Sequence, residues 1–243
     1  MKCLLLSLFL YCVVNSGNAQ FNDSTFYLLR YATTGIINRT NEASAYAITN
    51  AVRFSVSKKS ISLNSNASWV YGQQRERLTN NDFAGIVDVN WFRNNPRFYY
   101  WGLVNYESSY SLKVNNRTQL GAGIAYSIVE SENAFINISD GLLYEFADLK
   151  VSDSTNDVYS TFRNSLRLRH RFTLNNRLVF EGTYFLQNSL QRNTDYIVNA
   201  TSSLSFKVLQ WISLTGSLRY NKVNRNNREN LLLTFGLTVE RYF

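Results

Sequence analysis

The chain has 243 residues, 15% aromatic and 17% charged, with sixteen tyrosines, sixteen phenylalanines, one proline and a formal charge of +8. A mean hydropathy of -0.23 and the lack of a mature apolar run of about 18 residues exclude helical membrane spans, which leaves a closed barrel as the one membrane architecture open to it. Lysine and arginine are spread along the chain without the clustering that tracks a phosphate backbone, which argues against nucleic acid as a partner.

At the start, Lys2 precedes an apolar segment at 4–14, and Gly17 and Ala19 supply the small residues a signal peptidase needs. This predicts a signal peptide over 1–19 and a single barrel domain over 20–243. Cys3 and Cys12 both fall in the removed segment, and Cys12 follows bulky Tyr11 where a lipoprotein signal wants a small residue. The mature chain is therefore expected to carry no thiol, disulfide or lipid anchor.

Beyond residue 20 the sequence divides into about twelve alternating stretches separated by polar turns, as an antiparallel transmembrane β-barrel requires. The first covers 26–36. The second, 43–57, sets Tyr46, Ile48, Val52, Phe54 and Val56 against Ala47, Thr49, Ala51, Arg53 and Ser55. The third, 60–72, opposes Ile61, Leu63, Ala67, Trp69 and Tyr71 to Ser62, Asn64, Asn66 and Ser68. The fourth, 82–92, aligns Phe83, Gly85, Val87, Val89 and Trp91 and leaves Asp88 and Asn90 opposite; its turn at 94–96 holds the proline, which a paired strand would reject. The fifth runs over 97–112 and the sixth over 117–129. The seventh, 133–147, loses phase near 139–141, which predicts a bulge. The eighth, 158–172, carries a column of Arg163, Arg167, Arg169 and Arg171. The ninth, tenth and eleventh span 177–188, 196–208 and 211–220.

The last stretch, 230–243, puts Phe235, Leu237, Val239, Arg241 and Phe243 on one face and Thr234, Gly236, Thr238, Glu240 and Tyr242 on the other. Its aromatic end resembles the signal read by the barrel-assembly machinery, with Gly236, Leu237, Val239 and Phe243 as its elements. Connector lengths alternate in this reading. Those at 57–60, 93–96, 130–133, 174–176 and 208–210 are short and assigned to the periplasm. Those at 37–42, 73–81, 113–116, 148–157, 189–195 and 222–229 are mostly longer and face outward. Trp91, Trp101, Trp211 and Phe243 are placed in a periplasmic aromatic girdle.

Gly35-Ile-Ile-Asn38-Arg-Thr40, Tyr106-Glu107, Gly121-Ala-Gly123-Ile-Ala-Tyr126 and Gly141-Leu-Leu-Tyr144 resemble the exported barrel family called domain of unknown function 481. The resemblance implies an outer-membrane barrel and no settled activity. Such a barrel in a Gram-negative bacterium would contact outer-membrane lipid and lipopolysaccharide.

The polar faces carry Asp88, Glu107, Glu145, Glu181 and Glu240 with Arg53, Arg163, Arg167, Arg169, Lys207 and Arg219. Asp88, Glu107, Glu145, Arg163, Arg167, Arg169, Glu181 and Arg219 are the candidate lumen-lining residues, and buried charges there need partners across strands. One reading is a narrow porin-like passive pore whose arginine column favours small anionic solutes, with Trp101 and Leu103 as side chains that could fill it. A second is a structural or surface-interaction barrel acting through 73–81 and 148–157. A third, a lipolytic enzyme, needs a serine beside the single histidine, His170, which falls in phase with lipid-facing Leu166 and Leu168 near the periplasmic rim; no catalytic residue is assigned. No cofactor or metal ligand pattern is present.

Overall fold

The computed structural model describes residues 26–39, 44–58, 60–93, 97–152 and 155–243. The signal peptide expected over 1–19, the proline turn at 94–96 and half of the connector expected at 37–42 lie outside them. The strands are β1 (Tyr27–Arg39), β2 (Ser44–Lys58), β3 (Ile61–Gln74), β4 (Arg77–Phe92), β5 (Phe98–Ser109) and β6 (Val114–Glu130). They continue as β7 (Ala134–Lys150), β8 (Asn156–Leu174), β9 (Leu178–Ser189), β10 (Tyr196–Lys207), β11 (Ile212–Val223) and β12 (Arg228–Tyr242). A 3-10 turn at Asn224–Asn226 joins the last two. Every strand pairs antiparallel with its sequence neighbours, and β1 pairs with β12 to close the barrel.

Closure is made by the two ends of the sheet. Tyr27 N donates to Phe243 O at 2.8 Å, Phe243 N donates to Tyr27 O at 2.9 Å, and the two rings stack 5.6 Å apart. The register runs on from Leu28 opposite Tyr242 to Gly35 opposite Phe235. No strand edge is left to aggregate, and the wall satisfies its backbone groups through ladders on both sides of every strand.

Alternation along each strand sorts the side chains as the sequence implies. Phe180 and Leu237 are 42% and 43% exposed, and Ile48, Val87, Ile124, Leu166 and Leu204 also point outward. Asp88, Gln119, Glu145, Arg163 and Thr238 are buried inside. Outward aromatics form two belts, with Trp91, Tyr100, Phe172 and Phe206 near one rim and Tyr106, Tyr144 and Phe162 toward the other. Trp101 does not belong to the girdle. Its parity on β5 turns it into the lumen, where it is 4% exposed.

Three other expectations are corrected. The phase break near 139–141 is not a bulge: β7 pairs with β8 without interruption, and Asp140 simply points outward from an unbroken strand. Register shifts occur instead at Gly72/Gln73, Glu107/Ser109, Val114/Asn116 and Ser127/Val129. The polar run at 73–81 is no loop either. It is a paired hairpin turning on Arg75 and Glu76, both at positive φ (48° and 63°), the geometry of a two-residue type I′ turn. Likewise half of 148–157 is strand, 148–150 in β7 and 156–157 in β8.

Connector lengths consequently do not separate the rims, since two-residue turns occur on both. The asymmetry lies in the strands. β6, β7 and β8 have 17, 17 and 19 residues, where about 9–11 suffice to cross a bilayer. Their excess stands beyond the rim opposite the chain ends and carries Asn115, Asn116, Asp148, Lys150, Asn156 and Asp157.

Candidate functional site: the lumen

The interior is divided lengthwise into a packed side and an open side. Packing begins with three glycines of β6 and β7. A Cβ at Gly123 or Gly141 would stand 2.7 or 2.5 Å from Cζ2 of Trp101, and one at Gly121 would overlap Leu143. The bare backbone thus leaves room for an indole to lie flat against the wall, with Nε1 donating to Ile124 O at 3.0 Å. Tyr99, Trp101, Leu103, Ala125 and Leu143 form one apolar cluster there.

Toward the outer rim the same side holds a lattice of charges. Glu145 accepts from Arg163 Nη2 at 2.7 Å, Tyr159 OH at 2.8 Å and Gln119 Nε2 at 2.6 Å, while Arg117 bridges it to Glu107. Arg163 also reaches Asp195 at 2.9 Å, and Asp195 pairs with Arg225 at 3.0 Å. Arg225 in turn grips Asp157 at 2.6 Å and lies over the Tyr159 ring at 3.5 Å. Burial alone would lower the Arg225 guanidinium; the hydrogen bonds to Asp157 and Asp195 outweigh it and hold the group above its ordinary value. Glu145 and Arg163 are 0% exposed, so each ion depends on the other's charge in place of water.

Above this lattice Leu112, Val114, Ala147, Leu149 and Val223 close a second apolar cluster. Asn226 Nδ2 donates to Leu112 O at 2.8 Å and Asn230 Nδ2 to Ser111 Oγ at 2.9 Å. These bonds strap the β11–β12 connection to the β5–β6 turn, across the mouth from one wall to the other.

The open side is bounded mainly by β1 to β4 and β9 to β12, with Glu107 and Ser109 of β5 and Arg167 and Arg169 of β8 at its edges. Three cavities adjoin along it. The outermost, about 200 Å³, is lined by Asp82, Glu107, Ser109, Asn221 and Asn230. The middle one, about 350 Å³, shares Asn66, Ile86, Asn199 and Arg219 with it and adds Arg30, Arg53, Asp88, Arg167, Arg169 and Glu181. The third, about 230 Å³, shares Asn64 and Arg169 with the middle one and reaches Ser57 and Glu130 at the rim that holds the chain ends. Small side chains such as Ala32, Thr34, Ala51, Thr201, Ser203 and Thr215 make the space.

The candidate lining residues therefore separate. Asp88, Arg167, Arg169, Glu181 and Arg219 face the middle cavity and Glu107 the outer one, whereas Glu145 and Arg163 sit in the packed lattice and border none of the three. Arg30 pairs with Glu181 across the lumen. Among the described residues Arg53, Arg167, Arg169 and Arg219 have no carboxylate within ion-pair distance; their bonds go to Asn64, Ser139, Tyr99 and Ser68. Arg167 lies over the rings of Trp101 and Phe185, and its Nη2 has no protein partner.

Of the terminal elements, Leu237, Val239 and Phe243 point outward and Gly236 inward, where a Cβ would strike the Thr33 carbonyl of β1. His170 faces outward, 3.0 Å from Tyr184 OH, which is 2.8 Å from Ser202 Oγ; among the described residues no serine hydroxyl reaches the imidazole directly. Sequence reasoning missed Arg117, Asp157, Tyr159, Asp195 and Arg225. Arg117 shares its phase with Gln119 and Gly121 and could have been found, whereas Asp195 and Arg225 sit in connectors, where no periodicity marks them.

Solved barrels share this architecture. The translocator domain of the autotransporter NalP from Neisseria meningitidis matches at 11% identity and TM-score 0.52, covering 100% of this chain and 96% of that one. The NanC porin matches at 10% identity and TM-score 0.50 over 88% and 99%, and an outer membrane channel from Pseudomonas putida F1 at 12% and 0.50 over 95% and 100%. At such identities the likeness establishes the outer-membrane barrel fold. No curated protein matches the sequence. A family model matches residues 33–240, most of the chain, and the protein belongs to that family, described as protein of unknown function, DUF481.

Proposed function

We propose that this barrel is a passive, non-enzymatic pore for small anionic solutes in the outer membrane of a Gram-negative bacterium. It would be exported on the signal peptide at 1–19 and inserted by assembly machinery that reads Leu237, Val239 and Phe243, with lipopolysaccharide outside. The observation that carries this reading is the run of three adjoining cavities from Asn230 to Glu130, whose middle segment presents five arginines against two carboxylates. One of those arginines is neutralised by Glu181; four are not. A low-dielectric wall with unpaired guanidinium groups concentrates anions and repels cations, and free donors on Arg167 and Arg169 can replace part of a solute's hydration.

Refolded protein in a planar bilayer should give discrete conductance steps, and a KCl gradient should give a reversal potential favouring chloride. Replacing Arg167 and Arg169 together by glutamate should move that potential toward potassium. Absence of steps from protein shown to be folded by gel-shift on heating ends the pore reading.

A further inference from the structure

We infer that the lipid-facing surface of β7 and β8 is the contact between two copies of this chain, centred on Asp140 and Asn164. Asp140 is exposed on the outer face of β7, six residues from one end of the strand and ten from the other. Its surroundings are apolar. Ile138 and Leu142 flank it along β7, and Ile124 and Leu166 stand directly opposite on β6 and β8; all four are exposed large hydrophobics. Other outward charges, Asp148, Lys222, Glu229 and Arg241, lie within two residues of a strand end, where headgroups and water are in reach. Asp140 has neither at mid-span, and a charged group on the lipid face there is destabilising.

Within the chain it has one hydrogen bond, from Asn164 Nδ2 at 2.9 Å. That leaves the carboxylate with unused acceptor sites and the amide with an unused donor. A pair holding both a donor and an acceptor is complementary to itself when rotated by a two-fold axis. Asn164 of each copy can then donate to Asp140 of the other, closing a four-membered ring of hydrogen bonds shielded from lipid. A second copy is the partner this chemistry selects, because an isologous interface needs no other sequence to supply the matching groups. Ala122, exposed beside Leu142 across the β6–β7 pair, adds a small residue that lets the walls approach.

The experiment uses the full-length protein purified from outer membranes. In detergent and in liposomes it should sediment and photobleach as a dimer. Asp140→Leu with Asn164→Leu should give a folded, heat-modifiable barrel whose dimer dissociates about tenfold more readily, in line with two lost membrane hydrogen bonds. The exchange Asp140→Asn with Asn164→Asp keeps the donor and acceptor count and should restore association. Oxidation of Leu142→Cys should cross-link two chains, whereas Ile48→Cys, outward on β2 across the barrel, should not. A monomeric wild-type protein, a dimer indifferent to the double leucine variant, or cross-linking no greater at 142 than at 48 would overturn the inference.

Discussion

The two sides of the lumen are built from the same strands by the same alternation and yet do opposite things. Along the middle of β5 to β8 the inward positions hold Trp101, Leu143, Glu145 and Arg163, which border none of the three cavities. On β1, β2, β10 and β11 they hold Ala32, Thr34, Thr49, Ala51, Thr201, Ser203, Thr215 and Ser217, and the space is open. A barrel of this strand number encloses more volume than a single layer of small side chains fills. Filling one side with large groups braces the cylinder and displaces the free path toward the other wall. Stability and permeation are thereby assigned to different residues, so substitutions on the two sides should separate them.

The largest effect is expected at the centre of the packed side. Glu145→Ala strips Arg163 and Arg117 of their shared carboxylate where neither can reach water, and removing one member of a buried ion pair costs about 3–5 kcal/mol. Urea titration of the barrel in detergent should show it, with Glu145→Gln losing less because its one amide oxygen can still accept from Tyr159 and Arg163. If Glu145→Ala unfolds at the wild-type midpoint, the packed side does not brace the barrel.

Matched leucines sharpen the contrast at lower cost. Leu143 is fully buried in the packed cluster, and Leu232 borders the outer cavity. Leu143→Ala should cost about 2–5 kcal/mol, the range for a methyl cluster removed from a core that cannot collapse. Leu232→Ala, which enlarges space already present, should cost under about 1 kcal/mol by the same titration. Equal losses would mean that the cavity is closed in solution.

Much of this was legible before any coordinates. Period-two alternation from Ala47 to Ser55 or from Phe235 to Phe243 fixes which face is oily, and with no helix-length apolar run a closed barrel follows. What could not be read was polarity beyond the membrane. At 73–81 a hairpin standing in water is polar on both faces, so alternation vanishes, and its turn uses Arg75 and Glu76 in place of the Asn-Gly pair that announces such turns. Asp140 misled differently, since a carboxylate on the oily face imitates a phase slip. The division of the lumen was half visible. Glycines at 121, 123 and 141 were noticed as a family likeness, but their reasons, the Trp101 indole against 123 and 141 and Leu143 against 121, are tertiary facts. Asp195 and Arg225 complete the lattice from connectors, which no strand pattern can locate.

The smallest stability change should accompany the clearest functional one. Ala51 points from β2 into the middle cavity, between Ala32 on β1 and Ser68 on β3. An indole placed there meets small neighbours and free volume, so Ala51→Trp should leave the unfolding midpoint within about 0.5 kcal/mol, as for a substitution clear of any packed feature. It should nevertheless occupy a large part of a cavity of about 350 Å³ and lower single-channel conductance several-fold. Trp101→Ala should do the reverse, raising conductance while losing about 3–5 kcal/mol, because it empties the packed side. One aromatic ring moved from β5 to β2 would then exchange strength for flow, and a conductance unaffected by Ala51→Trp would place the path somewhere other than along the open wall.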